Sequence, residues 1–295
     1  MTFYAAVGAV EQGLVYGIMA IGVYLTFRIL DFPDLTVDGS LPLGAAISAM
    51  AITSGLNPYL SLLLALIGGV LAGMVTALLN TRFNILHLLA SILTMIALYS
   101  INIRIMAGPN VALLGVPTVF DPVIALGIPA HFAGLVVFAI FAGLVLAGII
   151  WFLGTELGQV VLATGDNPQM IRSLGVDTRT IIVLGVGLSN GLVALSGALV
   201  AQNQGAADVG MGIGTIIAGL ASVIIGETVF GCRTMARAFI AALLGSIVYR
   251  LAIALALGLE IGGFRFNPSD LNLITALLVV TALITPNLKR RLIER

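Results

Sequence analysis

The chain has 295 residues, of which 60% are hydrophobic and only 9% charged, with a mean hydropathy of +1.16 and zero net charge. A soluble domain lies nearer half apolar and roughly a quarter charged, so these values exclude an ordinary soluble protein and point to an all-α, polytopic membrane protein with one membrane domain over residues 1–295. No basic cluster is long enough for a nucleic-acid footprint, the single Cys232 excludes an intrachain disulfide, and His87 and His131 are poor material for a metal site.

A bilayer core about 30 Å thick takes roughly 20 apolar residues of helix. The chain accordingly predicts a helical bundle of about nine crossings, near 4–29, 40–56, 59–80, 84–104, 131–153, 180–202, 210–230, 236–258 and 270–286. The start, MTFYAAVGAVEQG, lacks a basic leader and a small-residue cleavage site, so its apolar run reads as a retained helix. Pro58 and Gly262-Gly263 punctuate gaps, and 108–130 is a long loop carrying Pro109, Pro117, Pro122 and Pro129.

Between the first two crossings stands DFPDLTVDGS, residues 31–40, with Asp31, Asp34 and Asp38 and no basic residue. One charge at the bilayer centre costs about 2.5–3.5 kcal/mol, so a lipid-facing helix cannot hold three. Two readings remain. The segment is a cytoplasmic turn, with Asp38 or Ser40 capping the next helix and Pro42 in its first turn. Alternatively it is a broken helix beside a polar translocation path, with Arg28 pairing Asp31 and with Asp34 and Asp38 capping amides freed by the break. Phe32-Pro33 and Leu41-Pro42 both disfavour one smooth helix from 4 to 56.

A second polar break carries Gln202, Asn203, Gln204 and Asp208. GLVYGIMAIGVYLTF (13–27) before the first break and GLVALSGALVAQNQG (191–205) before the second form an echo, continued by GSLPLGAAISAMA (39–51) and GTIIAGLASVIIG (214–226). Two such units of opposite orientation would be an inverted repeat, although Gly/Ala-rich apolar runs also resemble one another by chance. Gly13–Gly17, Gly69–Gly73 and Gly187–Gly191 each place two glycines on one helical face, the pattern of close helix packing.

Basic residues set the orientation. With 154–179 in the cytoplasm, Arg28, Arg82, Arg172, Arg179, Arg233, Arg237, Lys289, Arg290, Arg291 and Arg295 fall inside, Arg104 and Arg265 outside, and Arg250 within a span. The amino terminus is then outside and the carboxy terminus cytoplasmic.

The cytoplasmic stretch TELGQVVLATGDNPQMIRSLGVDTR, 155–179, contains a compact helix recipe. Asn167 is a cap, Pro168 fits the first position, and Gly175 suits the left-handed stop. Met170, Ile171 and Leu174 share one apolar face. So short a helix needs a groove to lie in, either on the protein's own base or in a partner's cleft.

LGQVVLATGDNPQMIRSLGVD resembles the cytoplasmic coupling loop of bacterial ABC-importer permeases of the ribose and branched-chain amino acid type, through Gly158, Ala163, Gly165, Asn167 and Gly175-Val176. IIAGLASVIIGETVFG is similar to that family's second glycine segment. ILDFPDLTVDGSLPLGAA resembles its first polar segment, in the form typical of tryptophan or aromatic amino acid permeases. The resemblance spans roughly 10–290. Two departures stand out: Met170-Ile171 replace a common alanine pair, and Glu227 replaces a common glycine.

The resemblance implies a permease homodimer in the bacterial inner membrane, working with two cytoplasmic ABC ATPase subunits and a periplasmic or lipid-anchored solute-binding protein. The ATPase-coupling residues would be Ala163, Gly165, Asn167, Pro168, Met170, Ile171, Arg172, Leu174 and Gly175. The path and gate would involve Asp31, Asp34, Asp38, Gln202, Asn203 and Asp208. No cofactor is expected in this chain, ATP and Mg being bound by the partner ATPase. The residues agree: a phosphate-binding loop needs GxxxxGK[ST], and the only lysine, Lys289, has no glycine-rich lead. The expected cargo is a small solute, an amino acid and among these an aromatic one. The alternative is an ion-coupled secondary transporter using Asp31, Asp34, Asp38 or Glu11. An intramembrane enzyme is disfavoured, because no nucleophile–base spacing is present.

Overall fold

The computed structural model of the chain describes residues 3–258, together with 260–261, 264–265, 275–276 and 280. Helices dominate. α1 (Phe3–Tyr24) runs on through a π-helical turn, Leu25–Ile29, and is followed by α2 (Val37–Thr53), α3 (Pro58–Phe83) and α4 (His87–Met106). A strand β1 (Asn110–Ala112) and a short α5 (Asp121–Ala125) lead into α6 (Ala130–Gly154). Two short helices follow, α7 (Glu156–Asp166) and α8 (Pro168–Ser173), and then α9 (Thr178–Gln204). β2 (Ala206–Asp208) and a 3-10 turn, Val209–Gly212, precede α10 (Thr215–Phe230) and α11 (Met235–Leu257).

Seven of the described helical segments are long and apolar enough to cross a membrane, and α2, at 17 residues, is a shorter apolar helix. The predicted crossing at 270–286 lies outside the described residues, apart from 275–276 and 280. The others correspond to the predicted spans with shifted ends. α2 begins at Val37 instead of residue 40, and regular α-helix in α10 begins at Thr215 instead of 210.

α9 is the central helix. Its face from Gly185 to Gln202 is almost wholly buried against α1, α2 and α3. The α3–α9 crossing explains two of the glycine pairs. A Cβ at Gly69 or Gly73 would overlap the backbone of Asn190 or Val186, and Gly187 and Gly191 lie against Val70, Met74 and Leu66. Four glycines on facing stripes bring the two backbones into contact, the small-residue packing expected where lipid supplies no hydrophobic drive between helices. The third pair, Gly13 and Gly17, receives Ile247 and Leu243 of α11.

The long loop 108–130 is pinned, not free. β1 pairs antiparallel with β2, Asn110 opposite Asp208. The Leu113 amide donates to the Gly205 carbonyl at 2.8 Å, and the Val119 amide to Gln202 Oε1 at 3.0 Å. These bonds hold the loop over the carboxy-terminal end of α9 and satisfy backbone that would otherwise be lost to pairing.

Candidate functional site

The three aspartates of residues 31–40 end in three environments. Asp31, in the left-handed region at φ 49, is exposed and borders a cavity of about 650 Å3 between the α3–α4 turn, the end of α1 and the α7–α8 loop. Beside it Phe32 stacks on His87 with ring centroids 4.5 Å apart. Arg28 does not pair with Asp31. Its Nε and Nη2 donate to the two carboxylate oxygens of Glu227 at 2.9 and 3.1 Å, tying the end of α1 to the end of α10. Local spacing favoured Asp31, but Asp31 follows the turn that ends the helix, and α10 brings a bidentate carboxylate to the same place. That pair gives Glu227 a partner.

Asp34 is 0% exposed. Its Oδ1 accepts from the Thr36 amide at 2.9 Å and its Oδ2 from Asn190 Nδ2 at 2.6 Å. Asn190 in turn donates to the Val186 carbonyl at 3.0 Å and accepts from Ser40 Oγ at 2.7 Å. Thr36 and Thr76 hydroxyls join at 2.8 Å. The knot is buried and each of these groups has a partner, the condition on which a carboxylate survives away from water. Ser40 therefore does not cap α2; it orients the α9 amide.

Asp38 does not cap its own helix either. It lies in the first turn of α2 and reaches across to α10. Its Oδ2 accepts from the Gly214 amide at 3.1 Å, and its Oδ1 from the Ile216 amide at 2.8 Å and the Thr215 hydroxyl at 3.0 Å. The amino terminus of α10 has no side-chain cap from Gly214, its own capping residue, so Asp38 meets its orphan amides and the positive end of its dipole. Gly212 lies on the Asp38 carbonyl, where a Cβ would overlap.

The second polar break divides. Gln202 is buried, its Nε2 donating to Ser48 and Ser61 hydroxyls at 3.0 and 3.2 Å. Asn203 is exposed and donates to Glu11 Oε1 at 2.8 Å, and exposed Asp208 accepts from the Gly210 amide at 2.6 Å.

In the 155–179 loop the predicted recipe is present. Asn167 Oδ1 accepts from the Met170 amide at 3.0 Å, Pro168 opens α8, and Gly175 has φ 87. The Ala163 carbonyl accepts from the Asn167 amide at 3.0 Å, and Arg172 Nε donates to Thr178 Oγ1 at 2.7 Å. The predicted apolar face divides, however: Met170 is 48% and Leu174 71% exposed, whereas Ile171 is 5% exposed. A six-residue helix turned toward the membrane domain buries one of the three and leaves two outward. α7 is a separate helix that the loop reading does not contain; its local signal is Thr155 followed by Glu156, and Thr155 Oγ1 accepts from the Gly158 amide at 3.3 Å. Gly165 fits because its Cα lies against the Ile29 carbonyl, which a Cβ would overlap. Asp177 caps α9, and the Thr180 hydroxyl and Arg179 amide hold its carboxyl below the usual range.

Comparison with known proteins agrees with this architecture. A tyrosine transport system permease protein of Clostridioides difficile (strain R20291) is 42% identical over 282 residues, covering 96% of this chain and 91% of that protein. The uncharacterized protein RP368 of Rickettsia prowazekii (strain Madrid E) is 32% identical over 279 residues, covering 93% and 95%. Among solved structures, a chain of PsaBC from Streptococcus pneumoniae in complex with Fab matches with a TM-score of 0.52 at 15% identity, over 96% of this chain and 91% of that one, a likeness of fold. The family described as branched-chain amino acid transport system / permease component matches residues 6–284. This multi-pass membrane chain thus belongs to the branched-chain amino acid transport system permease family of ABC transporters.

Proposed function

We propose that the chain is the membrane-spanning subunit of an ABC importer for an amino acid, an aromatic one, driven by separate cytoplasmic ATPases. The observation that carries the reading is the 42% identity, over nearly the whole of both chains, to a tyrosine transport system permease. A second copy of the chain completes the path at a subunit interface, and a solute-binding protein delivers the cargo. The ATPases bind ATP and Mg, and they engage the 154–179 loop, whose Met170 and Leu174 face outward.

The orientation is amino terminus outside and carboxy terminus cytoplasmic, with about nine crossings in one domain over 1–295. The parallel order of the two halves supports an inverted repeat. α1 with its π-helical turn and α9 each span 27 residues. Each is followed by a broken segment and then a short helix, α2 of 17 residues and α10 of 16. α1 packs on α11, and α9 on α3, so the first helix of each half lies on the third helix of the other.

The ion-coupled alternative finds less support. Asp34 and Asp38 already accept five hydrogen bonds between them from protein donors, leaving them better suited to order a gate than to take up a cation.

Uptake of labelled tyrosine tests the reading, using vesicles that hold the permease with its ATPases and binding protein. ATP-dependent, binding-protein-dependent accumulation is expected. Accumulation that follows a proton or sodium gradient without ATP would refute it.

A further inference from the structure

α11 carries a charge inside a crossing. Arg250 lies within Met235–Leu257, a span long and apolar enough to cross a membrane, and a guanidinium keeps its charge. Charged residues in spans are rare, face the bundle interior or water, and mark substrate paths. Among the described residues no carboxylate stands within 4 Å of Arg250; the ion pair found among them joins Arg28 and Glu227. Glu11, on the helix that faces Arg250, is turned away to Asn203 and Gly134. The guanidinium instead lies 3.8 Å over the Tyr16 ring, and its Nη1 makes a long contact of 3.5 Å with Gln12 Oε1. Nε is sealed in without an acceptor, so no ligand touches it. Nη2 has no acceptor among the described residues either but is not sealed in, and the Tyr16 hydroxyl is likewise open.

The side chain points toward the middle of the span. Gly13 lies on Ile247 and Gly17 on Leu243, an antiparallel register that puts the Arg250 backbone level with Val10. Gln12 and Tyr16 are both farther in, the direction in which α11 tilts its side chains. An arginine that served a lipid headgroup would turn the other way, out to the interface. Gln12 stands on the order of 13 Å along α1 from Phe3, against a half-thickness of the bilayer core of about 15 Å. Tyr16 packs against the apolar cluster that holds Leu41, Val193 and Ile216. The stack therefore stands beside the junction where Asp38 joins the two breaks.

We infer that Arg250, with Gln12 and Tyr16, is the point on the path that takes the zwitterionic head of an amino-acid cargo, the Nη groups donating to its α-carboxylate. The inference rests on the amino-acid importer reading and deepens it. Both ends of the zwitterion are met. The open Nη donors suit a carboxylate, and the Tyr16 hydroxyl and Gln12 Oε1 accept from the α-ammonium group. Tyr16 holds the guanidinium plane by stacking, so little freedom is lost when the cargo arrives. A sugar brings no anion to the site. The resting cost of a charge without a carboxylate inside a span is accounted for if the partner is the passing cargo. Substrate sites near the midplane beside broken helices are common among transporters.

The test uses the complete transporter in proteoliposomes, with tyrosine as the probe. Arg250→Gln should lower tyrosine uptake about tenfold or more, and Arg250→Lys, which keeps the charge and loses the fork, should lower it less. Melting of the purified complex should not change in either. A fall in melting that parallels the fall in uptake would make Arg250 a packing residue and overturn the inference. So would a loss of uptake in the parent, equal to that of Arg250→Gln, when anionic lipid is left out of the vesicles, since the partner would then be a lipid phosphate. A second readout does not depend on transport. Gly8 lies one turn from Gln12 on α1 with open space around it, so Gly8→Cys in a Cys232→Ser background gives a reporter beside the site. Tyrosine should slow its reaction with a maleimide, tyrosine methyl ester should not, and Arg250→Gln should abolish the effect. Equal protection by the ester, or protection that persists in Arg250→Gln, would overturn the carboxylate assignment. Protection without uptake in the parent would uphold the site and sink the importer reading; uptake without protection would uphold the importer and sink the site.

Discussion

Asp38 Oδ1 accepts a hydrogen bond from the Ile216 amide at 2.8 Å, joining residues 178 positions apart. With the Gly214 amide and Thr215 hydroxyl on the same carboxylate, one side chain of the first broken segment holds the first turn of the helix after the second. A helix that begins against packed protein needs its orphan amides met from within the protein. Here the two breaks solve that problem jointly.

The Asp38 substitutions should therefore separate by acceptor geometry and not by charge. Asp38→Asn keeps one acceptor oxygen for Ile216 and Thr215 and gives up the Gly214 bond. Asp38→Leu loses all three, a destabilisation on the order of 2–4 kcal/mol. Uptake should fall severalfold or less in the first and more than tenfold in the second, with ATPase co-purification kept in both. Equal, complete loss in both variants would instead speak for a charge that must move with an ion.

Gly165 should tolerate nothing larger. Any Cβ there meets the Ile29 carbonyl, which is backbone and cannot swing aside. Gly165→Leu should cost about 1–3 kcal/mol of overpacking and separate α7 from the end of α1. Melting of the purified permease in detergent checks the first effect, and ATP-driven uptake the second. A variant with parental melting and uptake would show that the contact is dispensable.

The outward face of the 155–179 loop consists of Met170 and Leu174, with Ile171 turned in. Met170→Asp and Leu174→Asp should leave permease melting unchanged and lower ATPase recovery by roughly an order of magnitude or more when both are combined, since apolar anchors dominate such contacts. Ile171→Asp should act differently, lowering the permease's own stability by a few kcal/mol through an unpaired buried carboxylate. If Ile171→Asp melts normally and alone abolishes ATPase recovery, the orientation of α8 is wrong.

Cys232, exposed in the turn between α10 and α11, reports orientation without any substitution. The cytoplasmic assignment of that turn predicts no labelling of intact cells by a membrane-impermeant maleimide and ready labelling of inverted vesicles. The opposite pattern would reverse the topology.

Most of the secondary structure was legible along the chain because its signals are local. Composition demanded membrane helices, prolines and glycines punctuated them, and Asn167-Pro168 with Gly175 carried the start and stop of α8 in nine residues. The glycine pairs announced close packing, since a bare backbone is a property of the residue itself. The 155–179 loop and DFPDLTVDGS carry the resemblance to the permease family in contiguous residues.

Partners across the fold were not legible. Arg28 finds Glu227 at a separation of 199 residues, Asp34 finds Asn190 at 156, and Asp38 finds the start of α10. In each case the nearest candidate in sequence was wrong or incomplete. A helix or turn points neighbouring side chains in different directions, and a buried charge takes whichever donors the packing brings within 3 Å or so. Sequence alone determined that three carboxylates beside an apolar span had to be satisfied by something other than lipid. Only the tertiary structure decided that one would face a polar cavity, one would be tied to the central helix, and one would cap the helix that follows the other break.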